Sequence, residues 1–301
     1  MHKINGRFIL AKRRSAGHPV SRLTKGLLYL AVLLMTTQAN LLAREKHSSQ
    51  KPLVFGVLPF MSPITLFKRY SPLMDYLHTS VKRTFIFETA NNFPQHRLKT
   101  RRRQYDFVLT APHFVQAAVN SGHYRIVATY SKPLSAIIVV SSKSKITTLA
   151  GLKNKTVSTP SPAAIVTIVG KEFLVKEHAL RHTRFIAYHN HNAAYHAMLA
   201  GEASAAIISP YVLADAIRKG HPLRELARSR SFPSVGILAA TDLPDVLVDK
   251  FVTALTTMHL NPKGRRALQK MAYPGYRKAT LSDYKNLPQA PPIRLPAVKA
   301  R

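Results

Sequence analysis

Residues 53–77 read LVFGVLPFMSPITLFKRYSPLMDYL, and this stretch decides the fold. Leu53, Val54, Phe55, Val57 and Leu58 form a near-continuous apolar run that stops at Pro59. Such a run marks a strand covered on both faces in a parallel sheet. Ser62 followed by Pro63 opens a helix, because the serine caps the first turn and the proline lacks an N–H that the first turn leaves unpaired anyway. Ser71-Pro72 repeats the signal, so the helix is predicted to break there and restart toward Leu77. A strand end feeding a helix start aims unpaired backbone N–H groups at whatever lies above the sheet, an arrangement suited to an anion.

The same alternation continues outward from this segment. Strands are predicted at 53–59, 84–88, 107–110, 125–130, 136–141, 156–158, 184–188, 205–208 and 235–240. Helices are predicted at 63–70, 72–80, 94–102, 112–121, 163–177, 193–200, 211–219, 244–259 and 262–271. Alternating strands and helices make an α/β protein with mainly parallel sheets flanked by helices. The stretch SSKSKITTLAGL after the 136–141 strand reads as the entry to a second lobe. Residues 52–131 with 241–286 are therefore assigned to one lobe, 132–240 to the other, and 287–301 to a proline-rich basic tail.

Composition narrows the function classes. The chain has 301 residues, 46% of them hydrophobic, which is enough for two cores and too apolar for general disorder. Its first 25 residues hold seven Lys and Arg and no acid, and an apolar GLLYLAVLLM follows. That order describes a secretory signal over 1–43, either cleaved near Ala39 or Ala43 or kept as an anchor, followed by a polar linker at 44–51. There is no cysteine, so no thiol chemistry. The formal charge is +32, and the seven leader cations leave +25 on the rest. Such a field attracts anions and anionic membrane surfaces; the one dense basic run, Arg101–Arg103, lacks interleaved aromatics, which argues against nucleic acid. His178 and His182 have the four-residue spacing of a metal pair, but Arg181 and Arg184 sit among them and no metal site is assigned. No GxSxG, HExxH, Walker loop or GxGxxG occurs, and thirteen acids leave little for carboxylate catalysis, so no enzyme and no cofactor is expected.

The opening segment, YDFVLTAPHFVQAA at 105–118, TLAGLKNKTVSTPSP at 148–162, NHNAAYHAMLAGEASAAIISP at 190–210 and the helices of 243–271 resemble one group of proteins in order. They resemble the phosphate/phosphite/phosphonate-type substrate-binding proteins of ABC transporters, which have the two-lobed type II periplasmic-binding-protein fold. The resemblance covers nearly everything from Leu53 to about Met271. It implies capture of a small anionic solute between lobes that close about a hinge, delivery to a permease in the inner membrane, and a monomer in the periplasm. A module of the same fold that reports ligand binding to a membrane sensor is the alternative.

The resemblance also implies a phosphonyl seat at the helix start in STPSPAAIV (158–166), where Ala163, Ala164 and Ile165 stand in place of the usual serines. His191 occupies the family's histidine position, and Ser204 replaces the usual aspartate of the GxxD turn. The ligand-binding candidates are Ser62 at the first strand-to-helix junction, Thr110 and His113 at the second, and Thr159 and Ser161 at the third. His191, a donor to an oxyanion, and Ser209 with Tyr211 after the 205–208 strand complete the set.

Overall fold

The computed structural model of the chain describes residues 51–177 and 183–289. The expected leader, all but the last residue of the linker, most of the tail, and His178 and His182 lie outside them. The first lobe holds β1 (Leu53–Val57), α1 (Pro63–Leu77), β2 (Phe85–Thr89), α2 (Phe93–Arg101), β3 (Phe107–Thr110), α3 (Pro112–Asn120) and β4 (Tyr124–Tyr130). The second holds β5 (Ile137–Ser141), β6 (Thr156–Thr159), α4 (Ile165–Lys176), β7 (Arg184–Ala187), α5 (His191–Leu199), β8 (Ala205–Ile208), α6 (Pro210–Arg218) and β9 (Leu223–Arg228). The chain then returns to the first lobe with β10 (Gly236–Ala240), α7 (Asp245–Thr256), α8 (Pro262–Met271) and β11 (Tyr276–Lys278).

Two sheets result, in the order β11-β4-β10-β3-β1-β2 and β7-β6-β8-β5-β9. β1, β2 and β3 pair in parallel, as do β6, β7 and β8. The strands that carry the chain between lobes enter antiparallel, so both sheets are mixed: β10 lies between β3 and β4, and β5 between β8 and β9. The two crossing segments bond to each other at Leu134 and Phe232, whose N–H groups donate to each other's carbonyls at 2.9 and 2.8 Å. This pair ties the two crossing segments together between the sheets.

Two sequence expectations are corrected here. The stretch GILAA belongs to the first sheet, so the boundary drawn at 240 falls before Gly236; all five residues are buried because the strand is central. The predicted break at Pro72 is absent: α1 runs through it to Leu77. Ser71 Oγ donates to the Phe67 carbonyl (2.7 Å), and buried Tyr70, Leu73, Met74 and Leu77 hold the helix against β2 and α8. That packing outweighs the roughly 3 kcal/mol that an interior proline costs.

The first core centres on Phe251 of α7, whose ring stacks on Phe107 at 3.8 Å between centroids and touches Phe55 and Phe85. At Gly56 the Tyr105 ring lies 2.5 Å from where a Cβ would stand, so only glycine lets β1 lie against it. In the second lobe α4 packs so closely that a Cβ at Gly170 would stand 2.8 Å from Ile207 of β8. These contacts fix the strand ends and with them the helix starts that face the other lobe.

Candidate functional site

Four helix N-termini converge between the lobes: α3 from the first, and α4, α5 and α6 from the second. They open onto a cavity of about 40 Å³, space for roughly three water molecules. Ala111 and Pro112 present the start of α3, Ala164, Ile165 and Val166 that of α4, His191 that of α5, and Ser209 that of α6. Aromatic and aliphatic side chains close the rest: Phe60, Phe93, Tyr130, Tyr211 and Tyr273, with Leu58, Leu134 and Val235. Among the described residues no charged side chain lines it.

The polar groups of the wall divide into engaged and available ones. Ser209 Oγ accepts the Val212 N–H that caps α6, and Tyr211 O–H donates to the Lys132 carbonyl at 3.2 Å. Tyr130 O–H pairs with Tyr70 O–H beneath the cavity. His191 Nδ1 accepts the Ser209 N–H at 3.3 Å, which places the ring's hydrogen on Nε2. Burial lowers the His191 pKa to about 3, so the ring is neutral at ordinary pH. Its Nε2–H has no protein acceptor among the described residues, and the first-turn amides of Ile165 and Val166 have no intrahelical one. The site therefore offers uncharged donors at helix N-termini, set in an apolar wall.

The lobes also touch directly around the cavity. The His191 N–H donates to the Phe60 carbonyl at 3.2 Å, and His113 Nε2 bonds the Ala163 carbonyl at 3.0 Å. Tyr211 of the second lobe packs edge-on to Tyr130 and Tyr273 of the first, at 5.5 and 5.1 Å between centroids.

Of the eight residues singled out from sequence, His191, Ser209 and Tyr211 line the cavity. The other five do not, because local bonds or position take them elsewhere. Ser62 caps α1 by accepting the Thr65 N–H and bonds Thr65 Oγ1 at 2.8 Å. Thr110 lies on the flank of the first lobe, bonded to His96 Nε2 at 3.2 Å. His113 spends its Nε2 on the other lobe's backbone. Thr159 donates to the Pro160 carbonyl, and Ser161 Oγ accepts the Ala163 N–H at 3.2 Å. Sequence reading missed the aromatic wall, since Tyr130 ends a strand and Tyr273 follows a helix with no local motif around either. Among the described residues, no three His, Cys, Asp or Glu side chains gather to hold a metal.

Known proteins give this geometry a context. Among solved structures, a binding protein component of an ABC phosphonate transporter from Pseudomonas aeruginosa is similar, with a TM-score of 0.69 at 14% identity over 78% of this chain and 84% of that one. PhnD1 from Prochlorococcus marinus, in complex with methylphosphonate, also gives 0.69, at 16% identity over 78% and 95%. XAC2383 from Xanthomonas citri, bound to ATP, gives 0.57 at 14% identity over 78% and 93%. At these identities the likeness is one of fold, the type II periplasmic-binding-protein architecture. None of the curated proteins matches the chain. The family model for the phosphonate periplasmic substrate-binding protein of ABC transporters matches residues 55–284, the whole two-lobed body apart from its edges. The chain belongs to that family, the periplasmic substrate-binding proteins of ABC phosphonate transporters.

Proposed function

We infer that the interlobe cavity captures a small phosphonate whose organic substituent is short and apolar, for delivery to a membrane permease. The observation that carries this reading is the lining itself: uncharged donors from Ile165, Val166 and His191 on one side, aromatic rings on the other, and no charged side chain among the described residues. Helix N-termini and N–H groups stabilise an oxyanion without a formal countercharge. The fourth substituent on phosphorus then meets Tyr130, Tyr211 or Tyr273, where a methyl or ethyl group is favoured over a hydroxyl that finds no partner. An ammonium-bearing substituent finds no carboxylate there among the described residues. Closure about the Leu134–Phe232 ribbon seals the ligand from water.

Calorimetry of the protein with methylphosphonate, ethylphosphonate, inorganic phosphate and 2-aminoethylphosphonate tests the reading. The alkyl compounds should bind at least tenfold more tightly than phosphate or the amine. Equal affinity for all four would show that the aromatic wall does not select the substituent. Binding of none would remove phosphonate capture altogether.

A further inference from the structure

The outer face of α8 carries a basic stripe. Lys263, Arg266 and Lys270 are exposed at i, i+3 and i+7, which aligns them along one side of the helix. Among the described residues none of the three takes part in an ion pair. Between Asp249 and Asp283 the sequence has seven Lys or Arg and no acid. The other face is apolar: Gly264, Ala267, Leu268 and Met271 are buried, and the helix packs against α1.

An exposed apolar side chain is held beside this stripe. The turn Met258–Leu260 leads into α8 and leaves Leu260 66% exposed. Local bonds fix the turn on the helix: Asn261 Oδ1 accepts the Gly264 N–H at 2.7 Å, and Arg265 Nη1 donates to the Leu260 carbonyl at 3.1 Å. A Cβ at Gly264 would stand 1.9 Å from the Met258 carbonyl oxygen, so only glycine lets the turn lie this close. The leucine and the cations therefore belong to one rigid surface. The stripe is about 10 Å long on a convex helix, which suits an extended anionic plane better than one small anion. Leu260 adds a gain on contact with hydrocarbon that an acidic protein face does not offer.

We propose that α8 and Leu260 form a surface that docks on an anionic phospholipid membrane, with Lys263, Arg266 and Lys270 at the headgroups and Leu260 at the edge of the acyl region. Each Lys or Arg close to an anionic leaflet strengthens binding about fivefold, so three together give roughly a hundredfold. The surface is independent of ligand capture in the cleft, since none of these four residues lines that cavity.

The chain has no tryptophan, so Leu260→Trp places a single fluorescent reporter at an exposed position of the full chain. Its emission should shift to the blue with phosphatidylglycerol vesicles and stay unchanged with phosphatidylcholine vesicles. Lys263→Gln, Arg266→Gln and Lys270→Gln combined in the reporter protein should raise the lipid concentration at half-maximal shift about a hundredfold. Lys143→Gln, Lys145→Gln and Lys153→Gln combined remove the same charge from exposed positions of the second lobe and should leave that concentration unchanged. Val175→Trp, 56% exposed on α4, should show no shift. Equal weakening by the two triple variants would overturn the proposal in favour of the general basic field. So would a shift at Val175→Trp as large as that at Leu260→Trp. An unshifted Leu260→Trp on vesicles that carry the protein would also overturn it, and would leave α8 to an acidic protein face.

Discussion

Arg69 on α1 and Asp215 on α6 meet at 2.7 Å across the two lobes, with side chains only 5% and 2% exposed. Among the described residues this is the one ion pair that joins the lobes. The two sides of the pair are unequally supported. Asp215 also holds Arg218 and, at 2.8 Å, Lys219, both from its own lobe. Arg69 has Asp215 and the Tyr273 ring, 5.4 Å away, and its Nη1 is buried without a partner. Closure therefore depends on the carboxylate more than on the guanidinium.

The Asp215→Asn change leaves a buried guanidinium uncompensated, a loss of about 3–5 kcal/mol unless the lobes part and return Arg69 to water. Arg69→Met keeps much of the volume, and Arg218 and Lys219 still neutralise Asp215, so its effect should stay below about 2 kcal/mol. Small-angle scattering should show a larger radius of gyration for Asp215→Asn than for the parent, with weaker methylphosphonate binding. Burial raises the Asp215 pKa, but Lys219, Arg69 and Arg218 more than offset it and hold the carboxyl below its ordinary value. The latch is thus complete above the usual carboxylate range and is lost as pH falls through the depressed value. An unchanged radius and stability in Asp215→Asn would mean that the pair does not hold the lobes together.

The segment around β1 was legible because local chemistry and tertiary demand agree there: an apolar run, a serine cap and a proline at the first helical position. The starts at Pro112 and Pro262 were legible from the proline at the first helical position, which Asn261 reinforces with a side-chain cap at the second. β9, with the sequence LRELAR, was not, because it is the edge strand beside β5 and carries charged residues that a central strand would exclude. Pro72 misled because packing on both sides overrides a local preference. The site was readable only in part. Strand ends bring His191, Ser209 and Tyr211 to the cleft, but a junction offers several hydroxyls and the backbone claims some of them first. Ser62, Thr159 and Ser161 all bond groups no more than three residues away. The tyrosine wall and the Arg69–Asp215 pair join residues far apart in sequence, and spacing carries no trace of them.

Three buried histidines make the fold acid-sensitive. Burial lowers the pKa to about 3 for His96 and His191, and to about 4 for His113, where Arg97 adds to the effect against the bond to Ala163. Each is neutral in the fold and protonates near 6.5 once unfolded. Their contribution is therefore complete above about pH 6.5 and declines as pH falls toward the folded values, by roughly 1.4 kcal/mol per unit for each histidine. His191→Asn retains an acceptor for the Ser209 N–H and removes the titrating ring. Denaturant unfolding between pH 6.5 and 4.5 should show a slope shallower by about 1.4 kcal/mol per unit in this variant. An identical slope would mean that His191 is not held neutral by the fold.

The start of α4 offers the sharpest test of where an oxyanion sits. Its N-cap is Ala164, extended at φ −76° and ψ 132°, with no side-chain cap bond, and it is 2% exposed at the cavity wall. Alanine is a poor cap, so Ala164→Ser should stabilise the protein by about 1 kcal/mol, read from the denaturation midpoint. The added hydroxyl accepts a first-turn N–H and keeps its own hydrogen to donate, so methylphosphonate binding should persist. Ala164→Asp satisfies the same N–H group but sets a carboxylate beside the seat of the ligand. Repulsion between like charges in a low-dielectric cavity should then weaken methylphosphonate binding by more than a hundredfold, with a neutral ligand analogue spared. Equal binding by the serine and aspartate variants would place the phosphonyl group away from α4 and leave His191 as the remaining donor on that side of the cleft.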